Sequence, residues 1–310
     1  MPKPFLRLLA LATALGLLAG CAATSHLQAP TELGQPSSST ALERQIEQPG
    51  PIELQTIASA DWAVPLAGLV NLSRPAAAGL KHRDEPIQIY AHLLKHPRYG
   101  YFLIDSGVSE RFLREPGKVG VSWLMRQAMP IHTMQLRKST AQILQDIDGK
   151  LAGVFFTHLH FDHIAGMPDI ADNVPLYIGR REASQPEWIN LFVQASTDHL
   201  LQGKQPLHEW PFQPDPQQRF DGVVDIFGDA SVFAISVPGH TAGSTAYLIR
   251  STQGPVLLTG DASHTRWGWE HGVEPGDFTR NNELNLQSLL QMKALVERHP
   301  QIEVRFGHQR

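Results

Sequence analysis

The segment Thr157-His-Leu-His-Phe-Asp-His163 places three imidazoles and a carboxylate within six residues. It directly follows "LAGVFF" (151–156), a short continuous apolar run of the kind that forms a strand covered on both faces. Polar side chains set so close to a core cost free energy unless something satisfies them. Side chains alternate along a strand, so His158 and His160 leave its end in the same direction. Asp162 and His163 follow where the backbone turns, with Gly166 just beyond. Four donors thus converge on one small volume, and imidazole nitrogen with carboxylate oxygen is the donor set of zinc. With 15 histidines in 310 residues, a His-x-His-x-Asp-His run arises by chance in only roughly a few per thousand such chains.

Further donors recur at the ends of apolar runs. "FAISVPGHTAGST" brings His240 after a strand and a Pro-Gly turn, "PVLLTGDASH" brings Asp261, and "IEVRFGHQR" brings His308. A glycine precedes each of the three. A lone His or Asp at a strand end is usually just solvated; three of them beside the first cluster make chance a poor account.

The remaining pattern alternates strands with helices. "IQIYAHLLKH" (87–96) and "GYFLIDSG" (100–107) read as a strand pair, and "STAQILQDI" (139–147) as a helix capped by its serine. "PLYIG" (175–179), "SVFAISV" (231–237), "TAYLIR" (245–250), "PVLLTG" (255–260) and "IEVRFG" (302–307) read as strands. "EASQPEWINLFVQASTDHLL" (182–201) and "ELNLQSLLQMKALVERH" (283–299) read as helices. Interleaving throughout argues for an α/β sandwich. The net charge of −4, with Lys and Arg scattered, leaves no electrostatic footprint for nucleic acid. The single cysteine, Cys21, excludes a disulfide framework and a cysteine-ligated metal site.

The N-terminus has the form of a targeting segment. Lys3 and Arg7 flank "FLRLLALATALGLLAG", which is too short for a convincing spanning helix. It ends in Leu18-Ala19-Gly20-Cys21, which resembles the lipobox of bacterial lipoproteins, where the cysteine becomes the first mature residue and carries lipid. On that resemblance residues 1–20 are a signal peptide and Cys21 is the lipidation site. Ala22 rather than Asp after it points to the outer membrane, facing the periplasm. Residues 21–53, rich in Ser, Thr, Gln and Pro, read as a flexible tether, with the catalytic domain spanning 54–310.

"THLHFDH" (157–163), "PGHTAGS" (238–244), "TGDASH" (259–264), "GHQ" (307–309) and "LIDSG" (103–107) together resemble the metallo-β-lactamase superfamily over about residues 55–310. The resemblance implies a four-layer αββα sandwich with a dinuclear metal site at one edge of its two sheets. Carried over by position, His158, His160 and His240 hold the first divalent ion, most simply zinc. Asp162, His163 and His308 hold the second, and Asp261 bridges them. Two such cations share a water, bring its pKa toward neutrality and present hydroxide to an ester-type carbonyl or a phosphoryl centre. Asp162 orients that nucleophile or carries a proton.

An aspartate at position 261, rather than a cysteine ligand, is closer to the lactonase and phosphotriesterase branches than to the cysteine-using β-lactamases. The lactone reading, of the acyl-homoserine lactone kind, leads. Organophosphate hydrolysis, β-lactamase-like activity and a non-catalytic metal-binding lipoprotein are the alternatives. The lactonases place a tyrosine three residues beyond the bridging aspartate; here His264 stands there and is the second candidate catalytic residue. Substrate-facing apolar surface is expected from "VSWLMRQAMPIHTM" (121–134), with Trp123, Met125 and Met129, and from Trp267 and Trp269. The partners expected are a small ester or lactone and the membrane. The sequence does not give the oligomeric state.

Overall fold

The computed structural model describes residues 21–309 except 122–125, 128, 148–149 and 189. Strands are numbered along the chain. One eight-stranded sheet runs in the order Gln28–Ala29 (β1), Leu207–Glu209 (β9), Leu176–Ile178 (β8), Leu151–Phe155 (β7), Gly100–Ile104 (β5), Asp84–His96 (β4), Glu53–Pro65 (β3) and Gln135–Leu136 (β6). The second has six strands: Glu303–Arg305 (β14), Gly254–Leu258 (β13), Thr245–Ser251 (β12), Val232–Ser236 (β11), Gly222–Asp225 (β10) and Gln35–Ser37 (β2). The helices are Ser39–Gln45 (α1), Leu66–Leu69 (α2), Glu110–Arg114 (α3), Thr140–Gln145 (α4), Phe161–Ile164 (α5), Asn190–Leu200 (α6), Arg266–His271 (α7) and Asn282–Arg298 (α8).

Side-chain alternation sorts the apolar residues into three layers. Phe102, Ile104 and Phe155 point between the sheets, where they meet Val224, Ala234, Tyr247 and Ile249. Phe155 sits at the centre, its ring 5.0 Å from Phe102, 5.3 Å from Trp210 and 5.4 Å from Tyr177. Leu103, Val154 and Leu176 face the other way, toward Phe112 of α3, Ile143 of α4, Ile164 of α5 and Leu200 of α6. On the far side Val223, Phe233 and Leu248 meet Leu42 of α1 and Met292 and Leu295 of α8. Both sheets are therefore covered on both faces, and the architecture is the expected αββα sandwich.

The tether expected over 21–53 is instead built into this body. β1 pairs with β9 and β2 with β10, each at a sheet edge. The helix α1 is capped by Ser38, and Leu42, Ile46 and Ile52 are fully buried. Composition hid this because two- and three-residue edge strands are held by backbone pairing, and α1 buries few apolar residues. The helix expected over 182–201 begins only at Asn190; residues 182–184 are turn, Glu187 bridges to Cys21, and Pro186 cannot donate a backbone hydrogen bond there. The helix at 139–147 forms over α4 with a reciprocal Ser139–Gln142 capping box. Residues 1–20 lie outside the described residues. Among the described residues no helix is long and apolar enough to cross a membrane.

Strand direction decides where the polar residues gather. β5 and β7 are parallel, β13 and β14 are parallel, and β11 runs with β13 because both are antiparallel to β12. The chain leaving the C-terminal ends of these strands carries Asp105 after β5, His158 after β7, His240 after β11, Asp261 after β13 and His308 after β14.

Candidate metal centre and its cavity

The seven predicted donors meet at that edge. Ligand atoms of His158, His160, His240 and Asp261 lie within 4.8 Å of one another, as do those of Asp162, His163 and His308. The Asp261 carboxylate is central: its Oδ2 is 3.6 Å from His158 Nε2, 3.5 Å from His240 Nε2, 3.3 Å from His163 Nε2 and 3.2 Å from His308 Nε2. Asp162 Oδ2 is 3.4 Å from His308 Nε2 and 3.7 Å from His163 Nε2. Two glycines make this approach possible. Gly260 takes φ +51°, and a Cβ on Gly307 would fall 2.2 Å from Asp261 Oδ1.

The residues fit a pair of cations. His158 Nε2, His163 Nε2 and Asp261 Oδ1 are buried without a hydrogen-bond partner. Each such orphan costs about 1–3 kcal/mol, a strong reason for something to sit among them. Four of the rings are also oriented from behind, as in metal sites where the second ring nitrogen is anchored. His163 Nδ1 is 2.8 Å from Asp105 Oδ2, His308 Nδ1 3.0 Å from the Gln88 carbonyl, His158 Nδ1 3.1 Å from Thr157 Oγ1 and His240 Nδ1 3.3 Å from Thr279 Oγ1. His160 turns its Nδ1 inward, 2.9 Å from His240 Nε2.

Titration follows the same geometry. Burial, and then the neighbouring imidazoles, hold His158 and His240 well below the usual histidine range. Burial brings His160 down to about 4 despite Asp162 and Asp261. These rings are neutral near pH 7, which is the form that ligates a metal. His163 and His308 go the other way: burial opposes their charge, but the surrounding carboxylates, Asp261 foremost, outweigh it. Burial would raise Asp261, yet the imidazoles of His308, His264 and His163 hold it well below the carboxylate range.

Two supports carried no role in the sequence reading. Asp105 accepts from Thr157 N (2.8 Å) and Thr157 Oγ1 (2.9 Å) as well as facing His163. It adopts φ 55°, a left-handed conformation that Asp tolerates better than most residues. Glu182, 4% exposed, accepts from Leu159 N (2.8 Å), Thr241 Oγ1 (2.6 Å) and Gly243 N (2.9 Å). It thereby clamps the loop of His158 and His160 to the loop of His240. Nothing in "GRREAS" marks that glutamate, because its partners are distant in sequence.

A cavity of about 520 Å³ opens on the cluster, with His160, Asp162, His240, Asp261, His264 and His308 in its floor. Its walls are apolar: Trp62, Phe161, Phe192 and Phe278 supply rings, and Leu69 and Met129 aliphatic surface. Across it Arg280 Nε meets Glu187 Oε1 at 2.7 Å, and burial pushes the Glu187 carboxyl up to about 7 against that partner. His264 is buried, its Nε2 2.9 Å from Asp261 Oδ2 and its Nδ1 unpartnered.

The expected aromatic walls are corrected in part. Trp267 and Trp269 do not line the cavity: Trp267 stacks on His271 at 4.2 Å, and Trp269 packs against Phe306 at 5.9 Å. Both are half-buried and pack against the apolar layers instead, Trp267 on the helix layer of the first sheet and Trp269 on that of the second. Met129 does line it, while Trp123 and Met125 lie outside the described residues. Trp62, on the long strand β3, and Phe278 were not singled out by motif.

Residues 84–298 match the metallo-beta-lactamase superfamily. The chain belongs to that superfamily. An N-acyl homoserine lactonase from Bacillus sp is 28% identical over 229 residues, 73% of this chain and 82% of its own length. An N-acyl homoserine lactonase from Azorhizobium caulinodans is 27% identical over 226 residues, 69% and 80% of the two chains. Among solved structures of the superfamily fold, a dizinc quorum-quenching lactonase superposes with TM-score 0.54 at 15% identity, covering 90% of this chain and 92% of its own. The chain is thus a metallo-hydrolase of this superfamily, with candidate metal-binding His/Asp clusters.

Proposed function

We propose that this protein is a dinuclear metal-dependent lactonase that opens the ring of acyl lactones, exported and anchored to the outer membrane through lipid on Cys21. The observation that carries the catalytic reading is the aromatic-walled cavity opening directly onto the donor cluster. Its size suits an acyl chain with a small ring, and its walls offer no basic row for a nucleic acid. The lactonase relatives support the same substrate class.

His158, His160, His240 and Asp261 would hold one cation, zinc by donor chemistry, and Asp162, His163, His308 and Asp261 the other. When bound, the pair supplies Lewis acidity and acidifies a shared water. Asp162 belongs both to the donor cluster and to the cavity floor, so its carboxylate can accept the proton leaving the nucleophile and return it to the ring oxygen. His264, also in the floor, donates a hydrogen bond to substrate oxygen in the place the lactonases give to tyrosine. Trp62, Phe161 and Phe278 grip the acyl chain and exclude water from it, with Phe192 at the cavity mouth.

The test offers zinc-loaded full-length protein acyl-homoserine lactones, a chromogenic phosphotriester and a β-lactam, with acid release as the readout. Lactone opening should be the fastest of the three. Faster phosphotriester cleavage, or two bound metals with no turnover of any class, would contradict the reading. Cys21→Ala should shift the protein's lipid content, read by mass spectrometry, without changing its metal content.

A further inference from the structure

The exposed large apolar side chains among the described residues include three that are near neighbours in sequence, Trp188, Leu191 and Phe192, at 57%, 44% and 53%. They are spaced i, i+3 and i+4 across the turn that starts α6, where Leu191 N donates to Trp188 O at 3.2 Å, so they share one outward face. Phe192 also lines the active-site cavity, which makes this face its rim. Exposed aromatics grouped at a cavity rim mark an interaction surface.

The position of Cys21 selects the occupant. Its backbone pairs both ways with Glu187, Cys21 N to Glu187 O at 3.2 Å and Glu187 N to Cys21 O at 2.9 Å. Asn190 Nδ2 donates to the Cys21 carbonyl at 2.8 Å. Glu187 directly precedes Trp188 and itself lines the cavity. The chain is pinned on by Thr24 Oγ1 and by Ser25 N, 2.7 Å from Asp198. The residue proposed to carry lipid therefore leaves the folded body beside the exposed rim, and not at the end of a loose leash.

We propose that Trp188, Leu191 and Phe192 insert into the lipid bilayer that holds Cys21, setting the cavity mouth against the membrane so that long-chain acyl lactones enter from the lipid phase. This rests on the lipidated-lactonase reading above. The lipid supplies attachment and the rim supplies orientation. Tryptophan with leucine and phenylalanine is the composition that settles at a membrane interface. A long acyl substrate is concentrated in that same layer.

Full-length protein reconstituted in phosphatidylethanolamine vesicles carrying brominated lipid should sediment with them and lose part of its tryptophan emission. Trp188→Phe keeps the rim apolar and should remove that loss. The double variant Trp188→Gln/Leu191→Gln should still sediment. Its opening of vesicle-borne dodecanoyl-homoserine lactone should fall several-fold, while its opening of butanoyl-homoserine lactone in water stays at the wild-type rate. Quenching unchanged in Trp188→Phe, or absent although the protein sediments, overturns the docking. So does a detergent-solubilised dimer that the double variant abolishes, because the face would then seat a second copy. Protein left in the supernatant overturns the anchor and the docking together. Quenching without any lactone turnover overturns the catalytic reading alone.

Discussion

Replacing Asp105 by Asn keeps the size of the side chain and suits the positive φ at that position. What changes is one acceptor. Asp105 Oδ1 can still take the Thr157 N–H, and the Thr157 hydroxyl can reverse its role. The atom facing His163 Nδ1 at 2.8 Å, however, becomes an NH2 opposite an N–H. His163 must give up a charge-assisted hydrogen bond or adopt the other tautomer, which puts its proton on Nε2, the atom aimed at Asp261 and Asp162. A hydrogen bond to a charged group contributes about 1.5–3 kcal/mol. Since about 1.4 kcal/mol is tenfold in an equilibrium constant, the affinity for one of the two cations should weaken by roughly 10–100-fold, in line with losses of other groups behind metal ligands. Competition against a chromogenic zinc chelator reads this directly, with circular dichroism to establish that the fold is retained. A folded Asp105→Asn protein that holds both metals as tightly as wild type would refute the claim that Asp105 orients His163.

Asp261→Ala should reduce bound metal measured by plasma mass spectrometry and abolish lactone hydrolysis; surviving activity means the bridge is misassigned. His264→Phe should keep both metals and lower kcat by roughly 100–1,000-fold, the scale of one hydrogen-bond donor to a developing oxyanion; loss of a metal would make His264 a ligand. Glu43 gives a pH test of the N-terminal segment. Burial opposes its charge, but hydrogen bonds from Arg298, Arg219 and His299 bring its carboxyl down to about 2 from 4.5, joining α1 to α8. Between those values the unfolded chain binds the proton and the folded one does not, so this stabilisation is present above about pH 4.5 and is lost as pH falls toward about 2. Glu43→Gln in metal-free protein should lower Tm by roughly 2–6 °C at neutral pH, with the gap closing across that acid window. A gap independent of pH would contradict it.

The donor cluster was legible because His158, His240, Asp261 and His308 follow apolar strands, and His160, Asp162 and His163 lie within five residues of the first of them, which are local signals. The sandwich followed from continuous apolar strands such as "LAGVFF". What escaped was held by distant partners. β1, β2 and α1 gain their places from edge pairing and from Glu43, neither visible in a Ser/Pro-rich stretch. Asp105 and Glu182 act through loops more than fifty residues or one whole sheet away. Trp267 and Trp269 misled because proximity to Asp261 in sequence says nothing about which side of α7 faces the cavity. Phe192 and Phe278, far apart in sequence, were brought to it by packing.

The central claim is that His158, His160, Asp162, His163, His240, Asp261 and His308 surround two cations. Anomalous scattering at the zinc edge from crystals grown with zinc measures this most directly. Two peaks within ligand distance of those side chains, roughly 3.5–4 Å apart, with both near Asp261, are the predicted result. A single peak, peaks elsewhere, or none despite saturating zinc would contradict the account.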